Sequence, residues 1–339
     1  MGPKTGKPAM AAGLCCLLLA SMYAALFFGP VPLSAQEIHA ALTGAASEDS
    51  VRTATIVHDL RLGRIVVSVL CGMALALAGA VFQGLLRNPL ADPFTLGISS
   101  GAACGAALAL TLGWAGSNAL AVPALPLAAL IGAFTALALV LSLSRISGDF
   151  SRESLILGGI VVSTVLAALL TLIKALNEES VSAIVFWIMG SFQGRTWEQA
   201  RLMLPYLIPG FLLVLAQARE LDLLALGGEQ AAQLGVAVTR ARIVLVIGAG
   251  LLTAAAVSVS GIIGFVGLVV PHLIRLLAGG DARTVLVFSA LGGGLLMLWS
   301  DTLARSILDH GAELPAGVVT ALFGGPFFCL VMARRGQRA

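Results

Sequence analysis

Residues 65–105 read IVVSVLCGMALALAGAVFQGLLRNPLADPFTLGISSGAACG, and this stretch decides what kind of fold the chain adopts. The run 65–86 is apolar enough to cross a bilayer as a helix, since a spanning helix needs about 20 such residues. Pro89 and Pro93 then remove backbone donors and push the residues before them out of the helical region. Such a break near membrane depth is tolerated only where protein or a water-filled cavity covers it. The stretch therefore predicts a buried break between two transmembrane helices, with a plain cytoplasmic turn as the alternative.

The composition of the whole chain also indicates a membrane protein. Of its 339 residues, 58% are hydrophobic and 11% are charged, whereas soluble domains have about 45–50% and about 25%. A mean hydropathy of +0.99 would give a soluble protein an apolar surface. The net charge of +3 is too small for a nucleic-acid-binding protein. We therefore predict an all-α polytopic membrane protein in which residues 1–339 form a single transmembrane domain.

Ten segments have the length and apolarity of transmembrane helices. They lie near residues 10–29, 65–86, 94–113, 121–143, 154–173, 202–217, 243–260, 262–278, 284–303 and 314–333. The first is interpreted as an uncleaved span, because a signal peptide has a shorter apolar core of roughly 7–15 residues. Segment 181–192 is apolar but too short to span, so we predict a short interfacial or re-entrant helix on the outer side.

The distribution of basic residues orients these spans. With the N-terminus in the cytoplasm, 13 of the 20 Lys and Arg residues lie on the cytoplasmic side or at the inner helix ends, as the positive-inside rule requires. The basic tail ARRGQR, residues 333–338, belongs on the same side, which requires an even number of spans. Both termini are therefore predicted to be cytoplasmic.

The stretch 218–242 is the longest hydrophilic one on the predicted cytoplasmic side. It carries too many charges to span, yet its leucines and alanines are spaced as on helices with an apolar face. The pair Gly227-Gly228 divides it into two short helices, and Gly235 ends the second. Two amphipathic helices here predict a docking site for a soluble partner, with an inert interfacial helix pair as the alternative.

The sequence offers no recognisable set of catalytic residues. It has no complete nucleotide-binding loop and no HExxH motif, and its cysteines and histidines lack the spacing of metal ligands. We therefore predict a protein that is not an enzyme and has no metal site. The alternative to an ATP-driven transport subunit is a secondary transporter or channel for a small solute. Such a protein would need intramembrane carboxylates or a filter, and the predicted spans show neither.

Four blocks of sequence closely resemble the FecCD-type permease family. These permeases are the membrane subunits of ATP-binding-cassette importers for iron–siderophore complexes, haem and vitamin B12. The blocks are LRLGRIVVSVLCGMALALAGAVFQGLLRNPLADPFTLGISSGAA (60–103), LALGGEQAAQLGV (224–236), GIIGFVGLVVPHLIRLL (261–277) and ELPAGVVTALFGGPFF (313–328). The resemblance extends over about residues 55–335. Where the family pattern reads Leu-Pro-Arg, this chain has Leu62-Gly63-Arg64.

The resemblance implies a type II ABC importer permease fold of about ten helices. It implies a homodimer around a central path in the bacterial inner membrane, with two ATPase subunits below and a periplasmic or lipid-anchored substrate-binding protein above. ATP would be used by the partner subunits, and the chain itself would bind no cofactor, contacting lipid but no nucleic acid. An iron chelate is the cargo that we expect, ahead of vitamin B12 or an oxyanion.

Two groups of residues on the cytoplasmic side are candidates for coupling and gating. The residues expected to transmit the ATPase stroke come from the two short helices: Leu226, Gly227, Gly228, Glu229, Leu234 and Gly235. Asn88 and Leu90 lie in the proline break, and we expect two facing copies to form a cytoplasmic gate. The resemblance places Ser151 and Arg152 at a neighbouring constriction.

Three arginines on the predicted outer side are unexpected, since the positive-inside rule disfavours them there. Arg61 and Arg64 are three residues apart on one helix face, and Arg305 follows the ninth span. The resemblance implies that they dock the binding protein by gripping carboxylates on its two lobes, for which a planar guanidinium is suited. The alternative is contact with lipid headgroups or pairing with an acidic residue, namely Asp59, Asp301 or Asp309.

Overall fold

The computed structural model describes residues 6–44, 50–114, 118–119, 122–146, 150–308 and 312–336. Within them the regular structure is helical, except for two-residue strands β1 (Asn118–Ala119) and β2 (Val122–Pro123), which pair antiparallel. The α-helices of this part of the chain are α1 (Gly6–Ala25), α2 (Ala35–Thr43), α3 (Ser50–Thr55), α4 (Gly63–Leu85), α5 (Ile98–Thr111), α6 (Ala124–Ile146), α7 (Arg152–Leu176), α8 (Val181–Ile188), α9 (Trp197–Ala216), α10 (Ala218–Leu226), α11 (Gly228–Gln233), α12 (Val238–Ser260), α13 (Val266–Ala278), α14 (Ala282–Ala304) and α15 (Ala316–Gly336). The all-α class is thus confirmed, while the extreme ends of both predicted cytoplasmic termini lie outside the described residues.

Each of the ten predicted segments contains one apolar helix, but the count of ten spans is not confirmed. Seven helices are long and apolar enough to cross a membrane: α1, α4 together with the helical residues from Val51, α6, α7, α9, α12 and α14. The apolar stretches of α5, α13 and α15 are shorter. For example, α13 has 13 residues, which rise about 20 Å, less than the roughly 30 Å of a hydrocarbon core.

Breaks at their N-terminal ends shorten two of these helices. The segment before α5 forms a single 3₁₀ turn, Pro93–Leu96. The residues before α13, 261–265, are not helical, and there both Gly261 (φ 73°) and Phe265 (φ 68°) have left-handed backbones. Phe265 lies against α15, because a Cβ added at Gly324 would be 2.4 Å from the Phe265 Cβ.

The outer-side stretch between the first two spans contains helices that the sequence analysis did not assign. They are α2, α3 and a π-helical segment, Ile56–Leu62, that continues directly into α4. Ser34 and Glu37 form a capping box at the start of α2. The Ser-x-x-Glu spacing is a known signal of a helix start, and it would have predicted α2.

Helix α4 is the centre of the molecule. Of its 23 residues, 19 are buried, and it packs against α14, α12, α13 and α9. Helix α7, by contrast, has only five buried residues among its 25. Its apolar side chains Leu157, Val165 and Leu172 are more than half exposed. The fold therefore surrounds α4 with protein and leaves α7 at the periphery.

Glycines allow the helices around α4 to come into backbone contact. A Cβ added at Gly72 in α4 would lie 2.2 Å from the Gly293 carbonyl oxygen, and one added at Gly293 would lie 2.3 Å from the Gly72 oxygen. The same relation holds for Gly101 in α5 and Gly132 in α6. Small residues at such positions are typical of helix packing in membranes, where close van der Waals contact replaces the hydrophobic effect.

We expect Gly293→Ala to destabilise the folded chain, because the new methyl group would overlap the Gly72 carbonyl oxygen. Overpacking of this kind costs typically about 1–3 kcal/mol. Thermal unfolding of the purified chain in detergent should therefore show a lower midpoint for this variant. Gly13→Ala in α1 is the matched control, since a Cβ there has no heavy atom within 4 Å. Equal midpoints for the two variants would contradict the close contact of α4 with α14.

Candidate functional site

A cleft of about 470 Å³ brings the two predicted groups of cytoplasmic-side residues together. Its walls come from the end of α4, the start of α7, the short helices α10 and α11, and the start of α12. Ser151 and Arg152 line it from one side, and Gly228 and Glu229 line it from the other. We call it the α11 cleft. Asn88 and Leu90 are not among its lining residues.

Helix α10 is held firmly against the transmembrane helices. Its buried side chains Ala218, Leu221 and Leu224 are spaced to share one helix face. Leu221 contacts the backbone of α4, since a Cβ at Gly84 would be 3.0 Å from its Cδ1 atom. The Asp222 carboxylate accepts a hydrogen bond of 2.8 Å from the Ala282 N–H at the start of α14. Helix α10 is therefore in direct contact with both α4 and α14.

Two arginines that the sequence analysis did not single out join segments around the α11 cleft. Arg87 donates from Nε (2.9 Å) and Nη2 (2.6 Å) to the Ala225 carbonyl oxygen in the last turn of α10, where carbonyls lack helical partners. Arg242 donates to the Phe150 carbonyl oxygen at 2.7 Å. No sequence signal predicts the left-handed backbone of Arg87 (φ 50°), which directs its side chain.

The turn between α10 and α11 requires glycine at one position. Gly227 has φ 139°, a region that residues with a Cβ avoid. Gly235, which follows α11, has φ 83°. Beyond the turn, Leu226 (58% exposed) and Leu234 (56% exposed) lie at the surface, as does Glu229. Two large apolar side chains and a carboxylate are thus accessible to a partner, although their role in coupling stays a prediction.

The break between α4 and α5 satisfies its own backbone groups. The Asn88 side-chain oxygen accepts from the Leu90 N–H at 2.9 Å, and an Asp92 carboxylate oxygen accepts from the Phe94 N–H at 3.1 Å. Asn88 and Leu90 are exposed, whereas Asp92 is buried. Burial raises the pKa of the Asp92 carboxyl to about 6. The break therefore exposes the two predicted gate residues on a defined turn.

The other predicted gate residues mark the start of α7. The Ser151 hydroxyl oxygen accepts from the Ser154 N–H at 3.1 Å and so caps the helix. Arg152 is half-buried and pairs with Glu153 at 3.5 Å. An N-cap of this kind fixes the direction in which a helix begins, so Ser151 defines the wall of the α11 cleft rather than a free surface.

The three outer arginines are buried and already have partners within the chain. Arg64, 7% exposed, pairs with Asp301 at 2.7 Å and with Glu313 at 2.8 Å. Arg61 donates to the carbonyl oxygens of Leu26 and Val31. A buried charge needs such partners to offset its desolvation.

Arg305 lies in the same cluster and donates to the Ala25 carbonyl oxygen at 3.0 Å. Burial lowers its pKa to about 10, so it stays charged at neutral pH. The alternative that the outer arginines pair with acidic residues of the chain therefore holds for Arg64 and Asp301. Asp309 lies outside the described residues. Docking through these arginines would require them to exchange partners, and it stays a prediction.

The chain matches the FecCD transport family over residues 17–334. The hemin transport system permease HmuU of Yersinia pestis is 40% identical over 283 residues, covering 83% of this chain and 84% of that protein. The cobalamin import system permease BtuC of Halobacterium salinarum is 40% identical over 284 residues, covering 84% of this chain and 75% of that protein. A solved structure described as an inward-facing metal-chelate type ABC transporter has a TM-score of 0.84 at 33% identity, covering 96% of this chain and 99% of that chain.

The buried Asp92 makes the stability of the chain depend on pH. Its pKa in the folded state is about 6, against an ordinary value of 3.8. Between these values the folded state binds more protons than the unfolded state, so the free energy of unfolding falls as the pH rises from about 4 to about 6. The difference between the two pKa values corresponds to about 3 kcal/mol.

Asp92→Asn removes the titrating group and keeps a side-chain oxygen that can cap the following turn. We expect the free energy of unfolding of this variant to vary less than that of the wild type between about pH 4 and about pH 7. At about pH 7 the variant should have the larger free energy of unfolding. Chemical unfolding in detergent at both pH values measures this, with the exposed Asp59→Asn as the control. The same pH dependence in wild type and Asp92→Asn would contradict the expectation.

Proposed function

The chain belongs to the FecCD transport family, and on this basis we propose that it is the membrane permease subunit of an ATP-binding-cassette importer for an iron chelate. Its character as a multi-pass permease follows from the family and from the fold that it shares with a metal-chelate type ABC transporter. An iron chelate, siderophore or haem, is supported by the similarity to HmuU and to that structure. The similarity to BtuC supports vitamin B12 as the alternative cargo.

The observation that carries this proposal is the mounting of α10 and α11. Two short helices present Leu226, Glu229 and Leu234 outward, while α10 is hydrogen-bonded to Arg87, just beyond α4, and to the start of α14. This arrangement suits a soluble partner that pushes on the helices from the cytoplasm. ATP would be hydrolysed by two separate ATPase subunits docked here, and this chain would act as a transport subunit without a cofactor of its own.

The same contacts supply a path from the ATPase to the gate. A tilt of α10 would be transmitted through the Arg87–Ala225 hydrogen bonds to the turn that follows α4. Arg87 is the residue directly before Asn88. A tilt of α11 changes the width of the α11 cleft, whose opposite wall includes Ser151 and Arg152. The proline break and the start of α7 would then move together to open or close the cytoplasmic end of the path.

We propose further that two copies of the chain enclose this path in a bacterial inner membrane. Helix α7 leaves a continuous apolar face uncovered, and this face suits lipid or the same helix of a second copy. A homodimer would bring two sets of Asn88 and Leu90 toward each other as a gate. The substrate-binding protein, periplasmic or lipid-anchored, would dock on the opposite side of the membrane.

The double variant Gly228→Trp, Glu229→Arg tests the coupling role. A Cβ at Gly228 would already lie 3.0 Å from the Arg242 guanidinium. An indole there would fill the α11 cleft and displace α11. We expect ATP-dependent uptake of an iron chelate into proteoliposomes with the partner subunits to fall at least about tenfold, as for loss of an interface hot spot.

Gly280→Trp is the matched control, because a Cβ there meets no heavy atom within 4 Å. It should retain uptake, and crosslinking should show that the coupling variant still forms membrane dimers. Wild-type uptake by the double variant would overturn the coupling role of α11.

The outer arginines are tested by docking of the binding protein to the chain in nanodiscs. Complementary charge steers encounter and is screened by salt, so wild-type affinity should decrease as salt rises. The variant Arg61→Glu, Arg64→Glu should bind about tenfold more weakly or worse at low salt.

Because Arg64 also holds Asp301 and Glu313, Arg305→Gln is measured beside the double variant. The exposed Arg201→Gln serves as control. Unchanged affinity of both folded test variants at low salt would remove these arginines from the docking face.

A further inference from the structure

A second cavity, of about 560 Å³, lies on the predicted outer side of the molecule. It is enclosed by α8 and the loop after it, together with the ends of α5, α6 and α12. Leu110, Leu125 and Phe186 give it apolar walls, and Trp187 and Arg195 also line it. We call it the outer pocket. None of the predicted gating, coupling or docking residues lines it.

Two residues that line the outer pocket carry N–H donors with no acceptor among the described residues. Trp187 is 8% exposed, and its indole Nε1–H is buried without a hydrogen-bond partner. The Nε–H of Arg195 is buried and unpartnered as well. Nearly all buried polar groups in native proteins are hydrogen-bonded. Two unmet donors on one cavity therefore indicate an acceptor that is absent from the chain itself.

Arg195 also lacks a counter-charge. None of the ion pairs within 4.0 Å in the described part of the chain includes it. Glu179 lines the same pocket, but it is exposed and makes no such pair. Burial lowers the pKa of Arg195. Arg64, in the same part of the molecule, shows the contrast, because two carboxylates neutralise it.

The segment that carries both donors is fixed in place. The Ser191 N–H donates to the Ser260 carbonyl oxygen at 2.8 Å, and the Arg195 N–H donates to the Phe192 carbonyl oxygen at 3.1 Å. Phe192 is fully buried. A site built on such a supported segment is already organised before a ligand arrives.

We propose that the outer pocket binds a carboxylate carried by the cargo, with Arg195 and Trp187 as its hydrogen-bond donors. A guanidinium is the group best suited to a carboxylate, because it offers charge and several donors in one plane. The indole N–H adds a neutral donor, and the apolar walls accept the remainder of the chelate. This inference rests on the proposed function and narrows its substrate class to chelates with carboxylates, such as ferric citrate or haem with its propionates.

The position of Arg195 relates the pocket to the predicted docking face. Arg195 and Gln193 also line a smaller cavity of about 200 Å³, together with Arg61, Arg64 and Arg305. Cargo released from a binding protein above these arginines would therefore meet Arg195 first. The pocket would receive the cargo on the outer side before the path opens.

Equilibrium dialysis of ferric citrate against the full-length chain in phosphatidylcholine nanodiscs tests the proposal. The wild type should bind this probe, Arg195→Gln should bind it about tenfold more weakly, and Trp187→Phe, which keeps a ring but removes the N–H, about threefold more weakly. Ferrioxamine B, an iron hydroxamate without carboxylates, should be affected less than twofold by either variant. Arg195→Lys, which retains the charge, should recover part of the affinity.

Trp299→Phe and Arg201→Gln are matched controls, since both residues lie outside the pocket and are exposed. Thermal midpoints of all variants separate a packing defect from a lost ligand contact. Where Arg195→Gln does not fold, Trp187→Phe and Arg195→Lys replace it.

Absence of ferric citrate binding to the wild type, or equal affinity in wild type and folded variants, would overturn the proposal. A parallel measurement uses nanodiscs that also contain anionic phosphatidylglycerol. If the variants lose retention of this lipid and keep their affinity for ferric citrate, a lipid phosphate is the acceptor and the proposal is overturned. ATP-driven uptake of ferrioxamine B alone would leave the importer function intact while this inference fails.

Discussion

Backbone contact between α4 and α14 is the constraint on which the rest of the structure depends. Within a bilayer no water drives helices together, so association depends on how closely their surfaces approach. Gly72 and Gly293 remove the side chains that would hold the two helices apart. Because α4 is thereby enclosed on nearly all sides, it can neither face lipid nor move independently of its neighbours.

An enclosed α4 explains why the two ends of the molecule are arranged as they are. At the outer end, Arg64 is held by carboxylates from α14 and from the segment before α15. At the inner end, Arg87 holds the last turn of α10. Helix α4 spans 23 residues or about 35 Å, and Arg87 lies two residues beyond its end. This largely buried helix therefore joins the region of the short helices to the region of the buried arginines.

Much of this architecture could be predicted from the sequence, since apolar run length and helix breakers are local properties. The all-α class, the positions of the ten apolar helices and the break at Pro89 and Pro93 all follow from such signals. The length of α13 does not, because it begins at Phe265, whose left-handed backbone does not follow from its residue type. The helical start of α4 at the π-helical segment Ile56–Leu62 was likewise missed, since its charges resemble those of a loop.

The candidate sites were predictable only in part, for a related reason. A Gly-Gly pair between two amphipathic stretches marks a turn, so the division between α10 and α11 could be placed at Gly227. The hydrogen bonds of Arg87 to α10 and of Arg242 to Phe150 depend on which residues meet across the fold. The same is true of the missing acceptor at Arg195. Burial of Arg61, Arg64 and Arg305 has the same origin, because charge-based topology rules place a residue on a side of the membrane without showing its depth in the protein.

The glycine contacts differ in how they restrict the evolution of the chain. At Gly324 the obstacle is the Phe265 side chain from its Cβ outward, so a larger residue at 324 becomes acceptable once position 265 has mutated to glycine, which has no Cβ. The two sites can therefore drift as a compensating pair. At Gly72 and Gly293 the obstacle is main-chain carbonyl oxygen, which every amino acid carries. No partner mutation relieves that clash, and both positions are held at glycine for as long as α4 remains the centre of the fold.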